Sequence, residues 1–408
     1  MKVKILIGAV ALLALTQGCD YFKNPGLEGR PRWYIKSPPR PVVHEEVPEG
    51  YSMYVTAFEY PDGYDYIRDT LHGAGAAIVL YRDGEKTLAM PADGISSDEC
   101  RVVCGHLYAP VRSGGMTSIL CDGETLFSYE GEEAIVSIVS DGESVFTLGR
   151  SLTGSGFCCR KDGAVLFSSQ KGSVVGPADG EGALRLDEDD CIFFYGVPMV
   201  SVGGQKSIYY MVRNGEQEQL NLPSEVVGVF DAVRKDGVVN VAASTSAASG
   251  SAALYCDNVK VKLTTSSNVK MSGLRIFFLD GQAYVTGFVT SGGYVIRVVW
   301  NSAGKIVFRT ECSDAHWIYP APSGYYAVER KGDEILLSLG ASYLFKTEAR
   351  FWGSRCAEYF GGGFHAALLD PDGRKSTVYR SDGTALMTVD GVVTELCYSA
   401  LILPDEDP

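Results

Sequence analysis

Three short stretches of the chain set flat aromatic rings beside ionisable groups: Tyr64, Asp65, Tyr66, Arg68, Asp69 and His72; then Glu311, Asp314, His316 and Trp317; then Arg350, Trp352, Arg355 and Glu358. An aromatic ring covers the apolar face of a sugar, Arg forms paired hydrogen bonds to an acid group, and carboxylates accept from hydroxyls. The chemistry these residues offer is recognition of a glycan, with Tyr64, Tyr66, Arg68, His72, His316, Trp317, Arg350, Trp352 and Arg355 as candidate contacts. Each type also has a purely structural use: aromatics pack between neighbouring sheets, surface Arg pairs with Asp or Glu, and a His such as His72 or His316 is more often structural than a ligand.

Catalytic constellations are harder to assemble. A glycosidase needs two carboxylates at a defined separation across the scissile bond, and 50 scattered acids select no pair. No Gly-x-Ser-x-Gly elbow marks a nucleophile. Ser381-Asp382-Gly383-Thr384 has neither the spacing nor the Trp of a sialidase Asp box. Asp187-Glu188-Asp189-Asp190 offers oxygen ligands for calcium, or simply a solvated acidic turn. No paired CxxC provides a metal-ligand set, so no cofactor or metal is expected. A lyase or hydrolase with a central site stays open as an alternative to binding.

The elements that must position these residues are strands. Residues 133–169 read as four short β-prone segments, with Asp141-Gly142 and Asp162-Gly163 as turns. Asp-Gly favours a two-residue hairpin because the turn needs positive φ where Gly carries no penalty. The stretch therefore encodes a four-stranded antiparallel meander, and its surroundings are imperfect copies. Third strands are expected at 77–82, 117–121, 156–161, 207–213, 252–256, 294–301, 334–339 and 376–380. Second strands give the same count: 54–58, 107–111, 144–149, 192–197, 238–243, 283–288, 325–329 and 364–369. Four strands recurring every 40 to 50 residues or so is the pattern of a propeller. The expected fold is thus an all-β, eight-bladed β-propeller, or a seven-bladed one if the weak unit around 334–346 is irregular. The first copy lacks a first strand, whereas 392–403 is a strand without partners; this C-terminal strand is expected to close the ring as the innermost strand of blade 1, removing two exposed edges.

Outer strands such as Asp162-Gly163-Ala164-Val165-Leu166-Phe167 and Ala303-Gly304-Lys305-Ile306-Val307-Phe308 resemble the Gly-x-x-Leu-Trp edge of pyrroloquinoline-quinone-type propeller repeats, with Phe for Trp. That repeat also builds the eight-bladed lipoprotein scaffold of the outer-membrane β-barrel assembly machinery. The resemblance implies a propeller, and a scaffold subunit of an envelope complex as an alternative role.

The N-terminus points the same way. Lys2 and Lys4 precede an apolar run over 5–15, too short to span a bilayer permanently and typical of a secretory signal. The run ends in Leu15-Thr16-Gln17-Gly18-Cys19, which resembles the lipobox of bacterial lipoproteins, although Thr16 and Gln17 depart from its usual large aliphatic and small residues. The resemblance implies lipidation at Cys19 and export to the outer membrane. Expected units are a signal over 1–18, a tether over 19–50 rich in Pro, and one propeller over 51–408. The tether favours extended polyproline conformations.

Composition sets the remaining bounds. A net charge of -14 opposes nucleic-acid binding, which needs a basic, counterion-releasing surface. Contact with membrane is expected only through the lipid, and the domain to be monomeric. Ten Cys remain beyond Cys19, read here mainly as small buried thiols. Because antiparallel strands alternate direction, the Asp-Gly turns share one face of the disk and the longer connections share the other, where function usually sits. The expected role is non-catalytic binding, of a glycan or a partner envelope protein, through that long-loop face.

Overall fold

The structure, a computed structural model, describes residues 49–61 and 75–400 apart from 153–155, 177–181, 188–189, 202–203, 247–250, 266–268, 292–293, 311–313, 341 and 352. Eight antiparallel sheets are present among the described residues, and each is one blade of an eight-bladed β-propeller. The innermost strand of blade 1 is Val392–Ala400, paired to Tyr51–Glu59, so the C-terminal segment closes the ring as the sequence requires. Blade 2 begins at Arg101–Val103, blade 3 at Glu133–Ser140, blade 5 at Gly228–Lys235, blade 6 at Lys270–Leu279, blade 7 at Asp314–Ala321 and blade 8 at Ala357–Phe360. The weak unit is regular: Glu334–Leu339 is the third strand of blade 7.

Blade 4 departs from the pattern. Its innermost position is shared by two short segments: Leu184–Asp187 pairs with residues 190–193 of Asp190–Ser201, and Ser173–Val175 pairs with residues 194–196. Part of the connection that follows Ala164–Ser169 is therefore strand. Asp314–Ala321, which includes His316 and Trp317, is the innermost strand of blade 7.

The core lies between the blades. Eight buried apolar clusters among the described residues each straddle one seam, from Tyr54, Ile78 and Leu107 at blades 1 and 2 to Val55, Val378 and Leu396 at blades 8 and 1. Trp300, the largest fully buried side chain, fills the seam of blades 5 and 6 and donates Nε1 to the Thr264 carbonyl at 2.7 Å. A blade packed on both faces needs apolar residues on both, which is why second strands such as Gly363–Leu369 are buried throughout rather than alternately.

Successive blades also interlock at their rims. The turn glycines Gly163, Gly215 and Gly383 have positive φ, and a Cβ on each would collide with Phe127, Leu166 and Phe345 of the preceding blade. The apolar residue of one outer strand thus seats under the turn of the next blade, and only Gly leaves it room.

Candidate binding site

The long connections share one face. Its described parts include the segment joining blades 1 and 2, held by an isolated bridge between Ile95 and Val111, and the segment joining blades 7 and 8, which carries Arg350, Arg355 and a 3-10 turn over Ser354–Cys356. The loop over 62–74, with Tyr64, Tyr66, Arg68 and His72, lies outside the described residues; its feet, Pro61 and Gly75, meet at the top of blade 1.

The remaining candidates fare differently. Arg350 is exposed on blade 8, the blade adjoining that loop, and is pinned by reciprocal 2.8 Å hydrogen bonds between its backbone and that of Leu369. Trp352 lies outside the described residues. Arg355 is half-buried and reaches over blade 1 to donate to the carbonyls of Cys100 at 2.9 Å and Asp98 at 3.1 Å on blade 2. Arg101 donates to the same two carbonyls, at 2.7 Å each. Arg355 therefore ties three blades together near the axis. Trp317 sits not in a loop but on the inner strand of blade 7, where the buried Arg297 of blade 6 stacks over it at 4.6 Å and over Phe288 at 4.2 Å. His316 is on the same strand, and its side chain lies outside the description. Glu358 accepts from the Tyr398 N–H at 2.8 Å. The second and third stretches thus contribute mostly to assembly, and Arg350 is the described member of the candidate set that projects to solvent.

Polar groups elsewhere follow two repeating uses that sequence reasoning missed. On the turn face, the Asp or Asn ending the third strand has positive φ and accepts through Oδ1 the N–H at the start of the second strand: Asp83 from Met53, Asp122 from Leu107, Asp162 from Val145, Asn214 from Cys191 and Asp257 from Val239, at 2.8–3.1 Å. The acid of the Asp-Gly signal is thus both a turn residue and a cap. Nearer the axis, a carboxylate of one blade accepts an N–H from the inner strand of the next: Glu358 from Tyr398, Glu395 from Val102, Glu99 from Ile135 and Asp231 from Ile276, at 2.7–2.9 Å. A signal for three of these existed, an acid within an otherwise apolar inner strand, in Ala357-Glu358-Tyr359, Thr394-Glu395-Leu396 and Phe230-Asp231-Ala232.

Ion pairs account for further acids. Glu133 is buried and accepts from Arg160 Nη2 at 2.8 Å and from the Tyr129 hydroxyl at 3.2 Å, while Arg160 stacks on the Tyr129 ring at 3.8 Å. A Cβ at Gly149 would stand against the Glu133 carboxylate, so that glycine makes room for the pair. In the acidic run, Asp187 pairs with Arg234 at 2.9 Å and Asp190 with Arg213 at 2.5 Å. These two acids thus belong to a network of ion pairs between blades 4 and 5. Burial holds the Asp231 carboxyl above the usual carboxylate range despite Arg185 at 3.6 Å. The nine described cysteines are free thiols, in line with the buried-thiol reading, and burial pushes Cys100 and Cys356 up to about 12.

No family model matches this chain, and no curated protein matches it. Solved structures do. The dihydro-heme d1 dehydrogenase NirN, in complex with DHE, is similar at 11% identity over 90% of this chain and 78% of that one, with a TM-score of 0.53. The computationally designed Ika8 protein is similar at 10% identity over 73% and 89%, TM-score 0.46. The β-propeller domain of the Trilobed protease from Pyrococcus furiosus is similar at 10% identity over 67% and 86%, TM-score 0.41. At these identities the likeness is one of fold.

Proposed function

We propose that the protein is an exported lipoprotein, anchored to the outer membrane through Cys19, whose propeller is a non-catalytic binding module for a glycan bearing acid groups. The binding surface is the long-loop face above blades 8 and 1. One observation carries this reading: Arg350 is held exposed on a backbone-pinned platform, on the blade next to the feet of the loop that bears Tyr64, Tyr66, Arg68 and His72. Arg and aromatic side chains presented together from a rigid ring are the elements of acidic-sugar recognition.

The test is retention of purified full-length protein on an array of neutral and acidic glycans. Arg350→Ala should lose retention on the acidic members while its unfolding midpoint stays at that of the wild type. Equal retention by the variant, or capture of envelope proteins with no glycan bound, would overturn the glycan reading, the second outcome in favour of a scaffold subunit. Release of cleaved glycan would overturn the non-catalytic part.

A further inference from the structure

The turn face of blade 2 differs from its counterparts in one respect. Where Asp122 caps the Leu107 N–H through Oδ1, its other oxygen, Oδ2, faces His106 Nδ1 at 2.6 Å. The Cys121 thiol adjoins both, and one donor atom from each of the three residues lies within 4.8 Å of the others. We propose that His106, Cys121 and Asp122 bind one divalent transition-metal ion with the ligand preferences of zinc.

The first support is the donor set. Imidazole nitrogen, thiolate and carboxylate together suit a borderline-soft ion such as zinc and do not suit calcium or magnesium, which take oxygen alone. In a tetrahedral site with bonds of about 2.0–2.3 Å, ligand atoms stand about 3.4–3.7 Å apart. Reaching that spacing takes a shift of roughly 1 Å, and His106 and Asp122 are free to make it, being 51% and 42% exposed.

The second support is independent and comes from the repeat. The residue before the capped N–H and the residue before the capping Asp or Asn meet in blades 1 and 4. In blade 1 they are Ser52 and Arg82, which hydrogen-bond at 3.2 Å; in blade 4 they are Asp190 and Arg213, an ion pair at 2.5 Å. Blade 3 has Ser144 and Lys161, and blade 5 has Val238 and Cys256. Blade 2 places His106 and Cys121 there, so one geometry that elsewhere serves a strand-to-strand contact is furnished with two soft-metal ligands around an already oriented carboxylate. Blade 5 supplies an internal control: it has the Cys and the acid, with Val238 in place of the His.

Three protein ligands leave one coordination position to solvent, which marks an exchangeable ion rather than one that holds the fold. On binding, the Cys121 thiol releases its proton to solvent, neutral His106 takes the tautomer with its proton on Nε2 so that Nδ1 is free, and the His106–Asp122 hydrogen bond gives way to two metal bonds. The site is on the opposite face from the proposed glycan surface, and neither depends on the other.

The experiment is titration of reduced, full-length protein with cobalt(II), followed by displacement with zinc. One cobalt per chain should bind with the near-ultraviolet charge-transfer band of a thiolate ligand and the intense visible bands of tetrahedral geometry. Cys121→Ser should abolish the thiolate band. His106→Ala, at an exposed position that leaves the fold intact, should weaken cobalt and zinc binding by at least about 100-fold, since changes merely to groups behind the ligands cost 10 to 100-fold. Cys256→Ser should change nothing. Absence of the band in the wild type, its persistence in Cys121→Ser, its loss in Cys256→Ser, or unchanged affinity in His106→Ala would each overturn the proposal.

Discussion

The cap on the turn face can be dissected by three substitutions at Asp162. Its φ is +49°, its Oδ1 accepts the Val145 N–H at 2.8 Å, and its own N–H donates to the Val145 carbonyl at 2.9 Å. Asp162→Asn keeps both the acceptor and the tolerance for left-handed backbone; Asn214 fills this role in blade 4 at 2.8 Å. Its cost should be under about 0.5 kcal/mol, the range of surface changes that break nothing. Asp162→Gly keeps the backbone conformation and removes the hydrogen bond, costing about 1 kcal/mol, with about 0.5 kcal/mol more from the loosened unfolded chain. Asp162→Ala loses the bond and also places a Cβ in left-handed space, which adds about 1–2 kcal/mol, for a total of about 2–3 kcal/mol. The ranking Asn, Gly, Ala is read from urea midpoints of full-length protein at constant m-value. If Asn is as damaging as Ala, the side-chain cap is not what the residue supplies. Equal losses for Gly and Ala would show that backbone conformation does not enter.

Two further predictions concern buried charge. Glu133→Ala removes the partner of Arg160, and with both side chains only 11% exposed it should cost about 3–5 kcal/mol in urea unfolding. Replacing both, as Glu133→Leu with Arg160→Met, should recover most of that; a single-variant loss under about 1 kcal/mol would mean the pair is effectively solvated. Asp231 has its folded-state pKa raised by burial, so its contribution is fully present below the ordinary aspartate range and lost as pH rises through its higher folded value. The wild type should therefore fall in stability relative to Asp231→Asn as pH climbs through that window, and parallel pH profiles for the two proteins would refute the assignment.

How much of this was legible in the sequence follows from what carries each feature. Second and third strands are buried on both faces and bounded by turn residues, Asp83-Gly84 after 77–82, Asp257-Asn258 after 252–256 and Gly340 after 334–339, so these three coincide with the observed strands. The closing strand was legible as an imbalance between the two ends of the chain. Asp314 and Trp317 lie on an inner strand whose alternation is interrupted by a bulge between them, so no period marks it in the sequence. Ser173–Val175 is a strand too short to show a period. The partners of Glu395 and Asp231 are 293 and 45 residues away in sequence, so the link from acid to backbone exists only once the blades are in register. Arg355 misled for the same reason: an Arg beside aromatics resembles a ligand contact until the ring brings the Asp98 and Cys100 carbonyls to it.

That relation between closure and polar contacts bears on where function can reside. Blade 1 is assembled from both ends of the propeller segment, so its inner strand Val392–Ala400 is joined to its own second strand Tyr51–Glu59 by no peptide bond. Cross-blade hydrogen bonds hold it in place. Glu358 holds the closing strand at Tyr398, Glu395 of that strand holds Val102 of blade 2, and Arg355 spans from blade 8 to the carbonyls before Arg101. Cys356 adds a thiol donated to the Val393 carbonyl at 3.2 Å. Hydrogen bonds to charged groups are worth more than neutral ones, and here they hold a strand that no peptide bond ties to the rest of its own blade. The charged groups named near the axis are thereby engaged in holding the ring, and the two proposed sites draw on groups away from it: Arg350 with the neighbouring loop on one face, and His106 with Cys121 on the other.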